Sequence, residues 1–348
     1  TGTRGVFANL QTGLATDTFG NSDRLVSIER LDGSNFGDTL TGSDAFGDML
    51  FGRSGSDFLS GGGGGDTLVG DAGNDTLNGG AGNDSMLGEG GDDIFAMSTS
   101  FGADTIIGGE TGETGETNGD TLDIGKVIGS LTLDLTASNP ESGSVTHNGA
   151  TAVFSEIENI VLGDAIDTIV LADGSGADAV DGFELPTDLG GGTYAGVDQL
   201  DVSGLTDALG NPVNTDDVSI GTDGNGNAVL TFPNGESLTL IGVNPSLLAN
   251  PAVLVAMGIP AVTLNYIVEG GAGDDLIDGT YAGDPQGDMI DAQDNLGSNN
   301  DDVVTAGAGN DSVYSGAGDD SVLGEAGNDY IYAGTGNDTV SGGDGADY

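Results

Sequence analysis

Apolar residues in this chain keep two different rhythms. Over "VFANLQT" (6–12) and "LTLDLTA" (131–137) they alternate with polar ones, the period of a half-buried strand, in runs bounded by Gly and Asp turns. From Gly52 to Ala96 they recur instead once every nine residues, as Leu59, Leu68, Leu77, Met86 and Phe95, each two places after an aspartate. The segment reads as five unbroken nonapeptides: "GRSGSDFLS", "GGGGGDTLV", "GDAGNDTLN", "GGAGNDSML" and "GEGGDDIFA". Positions 1 and 4 are always Gly, position 6 is always Asp, and position 8 is large and apolar. This pattern predicts a minimal strand at positions 7–9 with one inward side chain. Positions 1–6 form a turn whose glycines accept φ > 0.

Asp48 and Leu50 continue the count backwards. A second array begins loosely at "GGAGDDLID" (270–278), which contains Asp275, and locks into register at Asp302. It continues through Asp311, Asp320, Asp329, Asp338 and Asp347, with Val304, Val313, Val322, Ile331 and Val340 as its apolar positions. Position 1 is laxer here (Ala306, Ser315, Gly324, Ala333, Gly342), and position 4 is Asn at 300 but Gly from 309 onwards.

The pattern G-G-x-G-x-D-x-U-x, with U apolar, resembles the RTX (hemolysin-type) calcium-binding repeat. The resemblance implies a parallel β-roll in which two nonapeptides make one turn. It also implies calcium held by the position-6 carboxylates of Asp48, Asp57, Asp66, Asp75, Asp84 and Asp93, and of Asp275, Asp302, Asp311, Asp320, Asp329, Asp338 and Asp347. Backbone carbonyls at positions 2 and 4 complete the implied set. In the first array these are Gly55, Gly62, Gly64, Gly73, Gly80, Gly82 and Gly91. In the second they are Gly307, Gly309, Gly316, Gly318, Gly327, Gly334 and Gly336.

Elementary electrostatics leads to the same cation. A coil of 18 residues stacks Asp57 over Asp75, Asp66 over Asp84 and Asp75 over Asp93; the strict count puts Thr39 next to Asp57 on its other side. Two carboxylates about 4.8 Å apart repel by roughly 1 kcal/mol in water and roughly 3–4 kcal/mol at an effective dielectric of 20. Ordering nine residues also costs several times what one buried aliphatic side chain returns. A divalent ion reverses the sign of the carboxylate repulsion. Calcium takes six to eight hard oxygens in flexible geometry, magnesium demands a tighter octahedron, and zinc prefers His or Cys.

Outside the arrays, "IERLDGSNFGDTL" (28–40) matches "IENIVLGDAIDTI" (157–169), so residues 1–50 and 131–170 read as copies of one module. "GSGADAVDGF" (174–183) is expected to be one more, degraded rung. "VDQLDVSGL" (197–205), "DDVSIGTD" (216–223) and "NAVLTFPNGESLTLIGV" (227–243) read as antiparallel strands with a hairpin at Pro233-Asn234-Gly235. A short helix is expected at 246–257. "DGNGN" (223–227) lacks the Glu an EF-hand loop needs and reads as a hairpin turn. The expected fold is all-β: two calcium-binding parallel β-rolls separated by a β-helical and antiparallel β middle region with one short helix. The expected segments are a β-helical lead-in (1–50), the first roll (51–97), a second β-helical module (98–183), an antiparallel cap with the helix (184–262) and the second roll (263–348), cut short at its C-terminal end.

Composition narrows the function. Fifty-seven acidic residues against five basic ones give a formal charge of −52 over 348 residues, which repels nucleic acid and anionic lipid. The chain has no cysteine, so disulfides and thiol chemistry are excluded. Its longest apolar run, "PAVLVAMGIPAV" (251–262), is too short for a transmembrane segment. The sole histidine, His147, is expected on an exposed strand or turn, and without HExxH or GxSxG no enzyme is expected. A start at Thr1 and a stop at "GGDGADY" suggest a segment of a longer chain.

The expectation is a secreted, calcium-dependent structural or adhesive protein, self-associating into a surface layer or filament. The alternative is the non-catalytic region of a larger RTX enzyme or toxin, and "DGF…VDQLDVSGL" is similar to the segment that closes the roll in secreted RTX proteases and lipases. The resemblance also implies type I export.

Overall fold

The computed structural model describes residues 4–109, 119–139, 141–191, 193–207, 210–262, 266–284, 288–290 and 300–348. The chain forms two compact units, Thr1–Ala261 and Val262–Tyr348.

In the first unit the chain winds between two sheets that share one core. One sheet carries, in order, Thr39–Thr41, Phe58–Gly63, Thr76–Ala81, Ile94–Ala96, Thr121–Asp123, Asn159–Val161, Ala177–Asp181 and Ser237–Ile241, all parallel. The other carries Arg30–Asp32, Met49–Ser54, Thr67–Ala72, Ser85–Gly90, Thr105–Ile107 and Ala150–Ser155, also parallel. Their apolar residues stack in register. Leu40, Leu59, Leu77, Phe95, Leu122, Ile160, Val180 and Leu240 line one column, and Leu31, Leu50, Leu68, Met86, Ile106 and Phe154 line the other. All are buried in one continuous cluster, although each turn contributes only a single layer of side chains.

Strands of the first array are longer than the three residues expected. Met49–Ser54, Phe58–Gly63, Thr67–Ala72, Thr76–Ala81 and Ser85–Gly90 run on through positions 1–3 of the next repeat. The ladder survives a left-handed residue at position 2, because Arg53, Asp71 and Glu89 still pair across the turns.

The duplicated module is visible as shared topology. Phe7–Asn9 pairs antiparallel with Leu14–Thr16 and parallel with Thr39–Thr41. Thr132–Asp134 likewise pairs antiparallel with Gly143–His147 and parallel with Thr168–Ala172. In the middle region one expected antiparallel strand is parallel: Gln199–Gly204 lies alongside Thr168–Ala172, because its Asp198-Gln199-Leu200 stacks on Asp167-Thr168-Ile169 as another rung. The remaining strands, Ser219–Thr222, Ala228–Thr231 and Ser237–Ile241, form the antiparallel meander with the Pro233–Gly235 hairpin. The Asp223 carboxylate closes the "DGNGN" turn by accepting from the N–H groups of Asn225 and Asn227, both at 2.8 Å.

The helix expected at 246–257 is split. A 3₁₀ turn at Pro245–Leu247 is capped by Asn244, and Pro251–Ala256 is an α-helix capped by Asn250. Pro251 forces the residue before it out of the helical region, so Asn250 is extended at φ −95° and the turn cannot run on.

The second unit repeats the roll on a smaller scale. Val268–Glu269, Val303–Thr305, Ser321–Leu323 and Thr339–Ser341 stack in parallel, as do Leu276–Ile277, Ser312–Tyr314 and Tyr330–Tyr332. The loose start of this array has a physical cause. Leu276 pairs with Ser312, 36 residues on, twice the regular 18, so the first turn carries 18 extra residues, and Ile290 joins the core.

Candidate metal centre

Every position-6 aspartate of the first array is buried, from Asp48 at 2% exposure through Asp57, Asp66, Asp75 and Asp84 to Asp93 at 0%. Each backbone N–H in this series donates to the carboxylate one turn further on: Asp57 to Asp75 Oδ1 at 2.7 Å, Asp66 to Asp84 Oδ1 at 2.8 Å and Asp75 to Asp93 Oδ1 at 2.6 Å. In the second unit Asp302, Asp311, Asp320 and Asp329 donate in the same way to Asp320, Asp329, Asp338 and Asp347, at 2.9–3.1 Å. Asp302, Asp311, Asp320 and Asp329 are buried there, whereas Asp275 and Asp338 are half-buried and Asp347 is exposed. Asp275 meets Asp311 across the insertion at 2.8 Å.

The ladder also runs past the nonapeptides. Asp38 donates its N–H to Asp57 Oδ1 at 2.6 Å, so the neighbour of Asp57 is Asp38 rather than Thr39, because that turn has 19 residues. Asp84 leads to Asp104 at 3.0 Å, Asp93 to Asp120 at 2.7 Å, and Asp167 to Asp198 at 2.9 Å. In the two copies of the module, Asp38 accepts from Val6 N–H and Asp167 from Leu131 N–H, so they hold equivalent places. The sequence ahead of Asp38, Asp104, Asp120, Asp167 and Asp198 never has glycine at both positions 1 and 4, although Gly33 lies against Asp38 Oδ2 as Gly52 does against Asp57. A signal was nonetheless present: "DTL" (38–40, 120–122), "DTI" (104–106, 167–169) and "DQL" (198–200) keep an apolar residue two places after a buried Asp.

The glycines form the rest of the cradle. Position-1 Gly52, Gly61, Gly70, Gly79 and Gly88 lie so close to Oδ2 of their own repeat's aspartate that any Cβ would displace the carboxylate. The position-4 glycines Gly55, Gly64, Gly73, Gly82 and Gly91 sit at φ +120° to +138°, and Gly309, Gly318, Gly327 and Gly336 at +140° to +149° or +152°, a region closed to L side chains. Asn300 fills the same position at φ +56°, which an Asn tolerates. A Cβ on Gly73, Gly82, Gly91, Gly327 or Gly336 would overlap the carbonyl oxygen of the position-4 glycine one turn back. At position 2, Gly80 overlies the Gly62 carbonyl, Gly334 the Gly316 carbonyl, and Gly307 the Gly271 carbonyl. The predicted carbonyl donors thus stack turn on turn beside the carboxylate column.

The donor set fits a hard cation. Oδ2 of Asp57, Asp66, Asp75, Asp84, Asp311 and Asp329 is buried and accepts no hydrogen bond, a costly state for a carboxylate. Among the described residues no three His, Cys, Asp or Glu side chains form a metal cluster, so a bound ion must draw on backbone carbonyls as well. One carboxylate per repeat with stacked peptide oxygens suits calcium and offers nothing to zinc.

A family model described as the RTX calcium-binding nonapeptide repeat (4 copies) matches residues 32–68, 43–77, 60–95, 267–280, 296–331 and 316–348. The chain carries RTX-type repeats over residues 32–95, 267–280 and 296–348. Its repeats are calcium-binding repeats, in two arrays, and the first match begins at Asp32, early enough to take in Asp38. A search of curated proteins gave no match.

Burial pushes these RTX carboxylates towards protonation when no cation is present. Asp57 and Asp66 rise to about 6 and Asp75 to about 7, with stacked carboxylates adding to the desolvation; Asp84 and Asp311 also rise. A folded-state value above the unfolded one means that the folded roll holds more protons between about pH 4 and pH 7. The stability of the calcium-free fold is therefore full below about pH 4 and falls as pH rises through 6 to 7. Without calcium, the β-sheet circular dichroism should be retained further at pH 4.5 than at pH 7.5, where it is lost. In the presence of calcium the order should reverse, since protons compete for the same oxygens. Greater stability in EGTA at pH 7.5 than at pH 4.5 would contradict the buried-ladder electrostatics.

His147 is buried, not exposed as expected. Its Nδ1 lies 3.0 Å from Ser130 O and its Nε2 2.8 Å from Asn148 Nδ2, so both ring nitrogens have a polar neighbour.

Proposed function

We propose that this RTX-repeat chain is an extracellular structural or adhesive element whose rolls fold and stiffen on meeting calcium after export. The reading assigns it a mechanical role and no enzymatic one. The observation that carries it is the unbroken carboxylate ladder: Asp38, Asp57, Asp75, Asp93 and Asp120 run in one column through the first array and beyond it. A solenoid held by such a column is rigid with the cation and self-repelling without it. Two arrays and a duplicated module suit a mechanical element built by repetition.

Type I export follows from the same property, because a chain that stays unfolded at cytosolic calcium can be threaded. Assembly of copies into a layer or filament is the further part of this proposal. Sedimentation velocity should show the chain as monomer in EGTA and as larger species in millimolar calcium. A folded monomer at all concentrations in calcium would remove the lattice and leave the calcium-dependent element.

A further inference from the structure

We propose that the first of the two copied modules is a seat for the closing strands of a second copy's second roll, so that copies join head to tail. This names the contact behind the assembly proposed above and rests on that reading. Among the described residues, two strands of this module have an uncovered edge: Ser22–Arg24 ends the larger sheet and Arg30–Asp32 ends the other. Their counterparts in the second module are covered. Gly13 faces Leu25 as Gly143 faces Phe154, and Ser27 at φ +53° matches Glu156 at +59°. Ser22–Arg24 therefore corresponds to residues 151–153, and Arg30–Asp32 to Asn159–Val161. Those counterparts pair in parallel with Thr105–Ile107 and Thr121–Asp123, the strands that follow the first array. Val153 and Asn159 donate N–H to the carbonyls of Asp104 and Asp120 at 2.9 and 3.0 Å, and Glu158 Oε2 accepts from Asp120 N–H at 2.5 Å.

In the first module the same places stand open. Ile28 is 41% exposed, whereas its counterpart Ile157 is 2% exposed. Leu25, Ile28 and Phe46 line a hollow of about 350 Å³, together with Glu29, the counterpart of Glu158. Charge selects the partner. Arg4, Arg24 and Arg30 are exposed here in a chain with only two other basic residues, and among the described residues neither Arg4 nor Arg24 forms an ion pair. Residues 262–348 contain no Lys, Arg or His. The second roll also repeats the motif that seats the second module: "DTI" (104–106) and "DTL" (120–122) correspond to "DTV" (338–340) and "DY" (347–348). Thr339–Ser341 is an end strand, and Val340 is 48% exposed where Val304, Val313 and Val322 are fully buried. The register of the second module places Thr339, Val340 and Ser341 opposite Arg24, Leu25 and Val26 of the next copy, with Asp347 N–H at Glu29. Two different surfaces meeting in this way extend into a filament unless the rotation closes a ring. Asp23 stands in the place of buried Ala152, and its charge keeps the uncovered edge from indiscriminate pairing.

The test is sedimentation velocity of the full chain in millimolar calcium. Ile28→Arg blocks the seat and Val340→Arg blocks the closing strand; both positions are exposed, so circular dichroism in calcium should match the parent. Each variant alone should sediment as a monomer. An equimolar mixture should give a dimer and stop there, because each variant keeps only the surface the other lacks. Asp23→Ala should shift assembly to lower protein concentration. Either blocking variant assembling like the parent, or a mixture that stays monomeric, would overturn the seat and leave assembly to another surface. A parent that is monomeric in calcium would remove the seat and the assembly reading together. Should a variant not fold, the chain carrying both Val26→Cys and Ser341→Cys, with no native cysteine to interfere, should form a ladder of disulfide-linked multimers on mild oxidation in calcium. Monomers only, or equal cross-linking of Val26→Cys alone, would also overturn the proposal.

Discussion

Chelation with EGTA at pH 7.5 is expected to collapse the β-sheet circular dichroism of the chain, and added calcium to restore it. The buried aspartates of the two rolls are held about one strand spacing apart, and at that distance carboxylates repel by roughly 3–4 kcal/mol per pair at an effective dielectric of 20. The stack offers no cationic relief. Four of the five basic residues lie at or before Arg53, and the two ion pairs among the described residues, Arg30–Asp32 and Arg53–Asp32, are on the surface. Binding free energy therefore appears as folding free energy.

Extracellular calcium modules work at roughly 10⁻⁴–10⁻³ M, and each filled turn orders half of the next site, so the transition should be steep with few partly filled rolls. A native β spectrum in excess chelator would defeat this account. A shallow single-site titration, or a midpoint below about 10⁻⁶ M, would defeat folding on export while sparing the calcium sites.

Replacing Gly82 by Ala should cost the first unit about 3 kcal/mol or more in saturating calcium. Gly82 sits at φ +131°, and a Cβ there would overlap the Gly64 carbonyl oxygen of the turn below. Neither atom can yield, because both belong to backbone fixed by pairing on each side; Gly64 N–H, for one, donates to Ala81 O at 2.9 Å. The comparison variant is Gly149→Ala. Gly149 also has positive φ, +85°, but its Cβ would meet open space in a two-residue hairpin turn, so about 1–2 kcal/mol is expected. Urea midpoints of the two variants decide the matter. Equal losses would mean that the stacked carbonyls do not approach as closely as the structure has them.

The nine-residue count was enough to give the roll, its 18-residue turn, its cation and the direction in which Leu59, Leu68, Leu77, Met86 and Phe95 point. These are local properties: a glycine at φ > 0 and an inward residue every nine are written wherever the backbone must repeat. The copied module was legible for the same reason, and Asp38 and Asp167 occupy matched positions in both sequence and structure.

Only the tertiary structure decided how far the ladder extends. Asp104 and Asp120 lie outside the nine-residue count, and turns of 20 and 27 residues bring them onto the two columns of the first array, while a turn of 31 stacks Asp198 against Asp167 as a separate pair. The solenoid tolerates such insertions because stacking depends on the strand and the buried Asp before it, while the loop between is free to lengthen. The parallel course of Gln199–Gly204 was hidden in the same way, since alternation in one strand does not say which neighbour it will meet. Burial of His147 is likewise a product of what packs opposite it, namely Phe101 against the imidazole. Periodicity fixes what each turn looks like; which turns become neighbours is settled only when the chain has closed around its core.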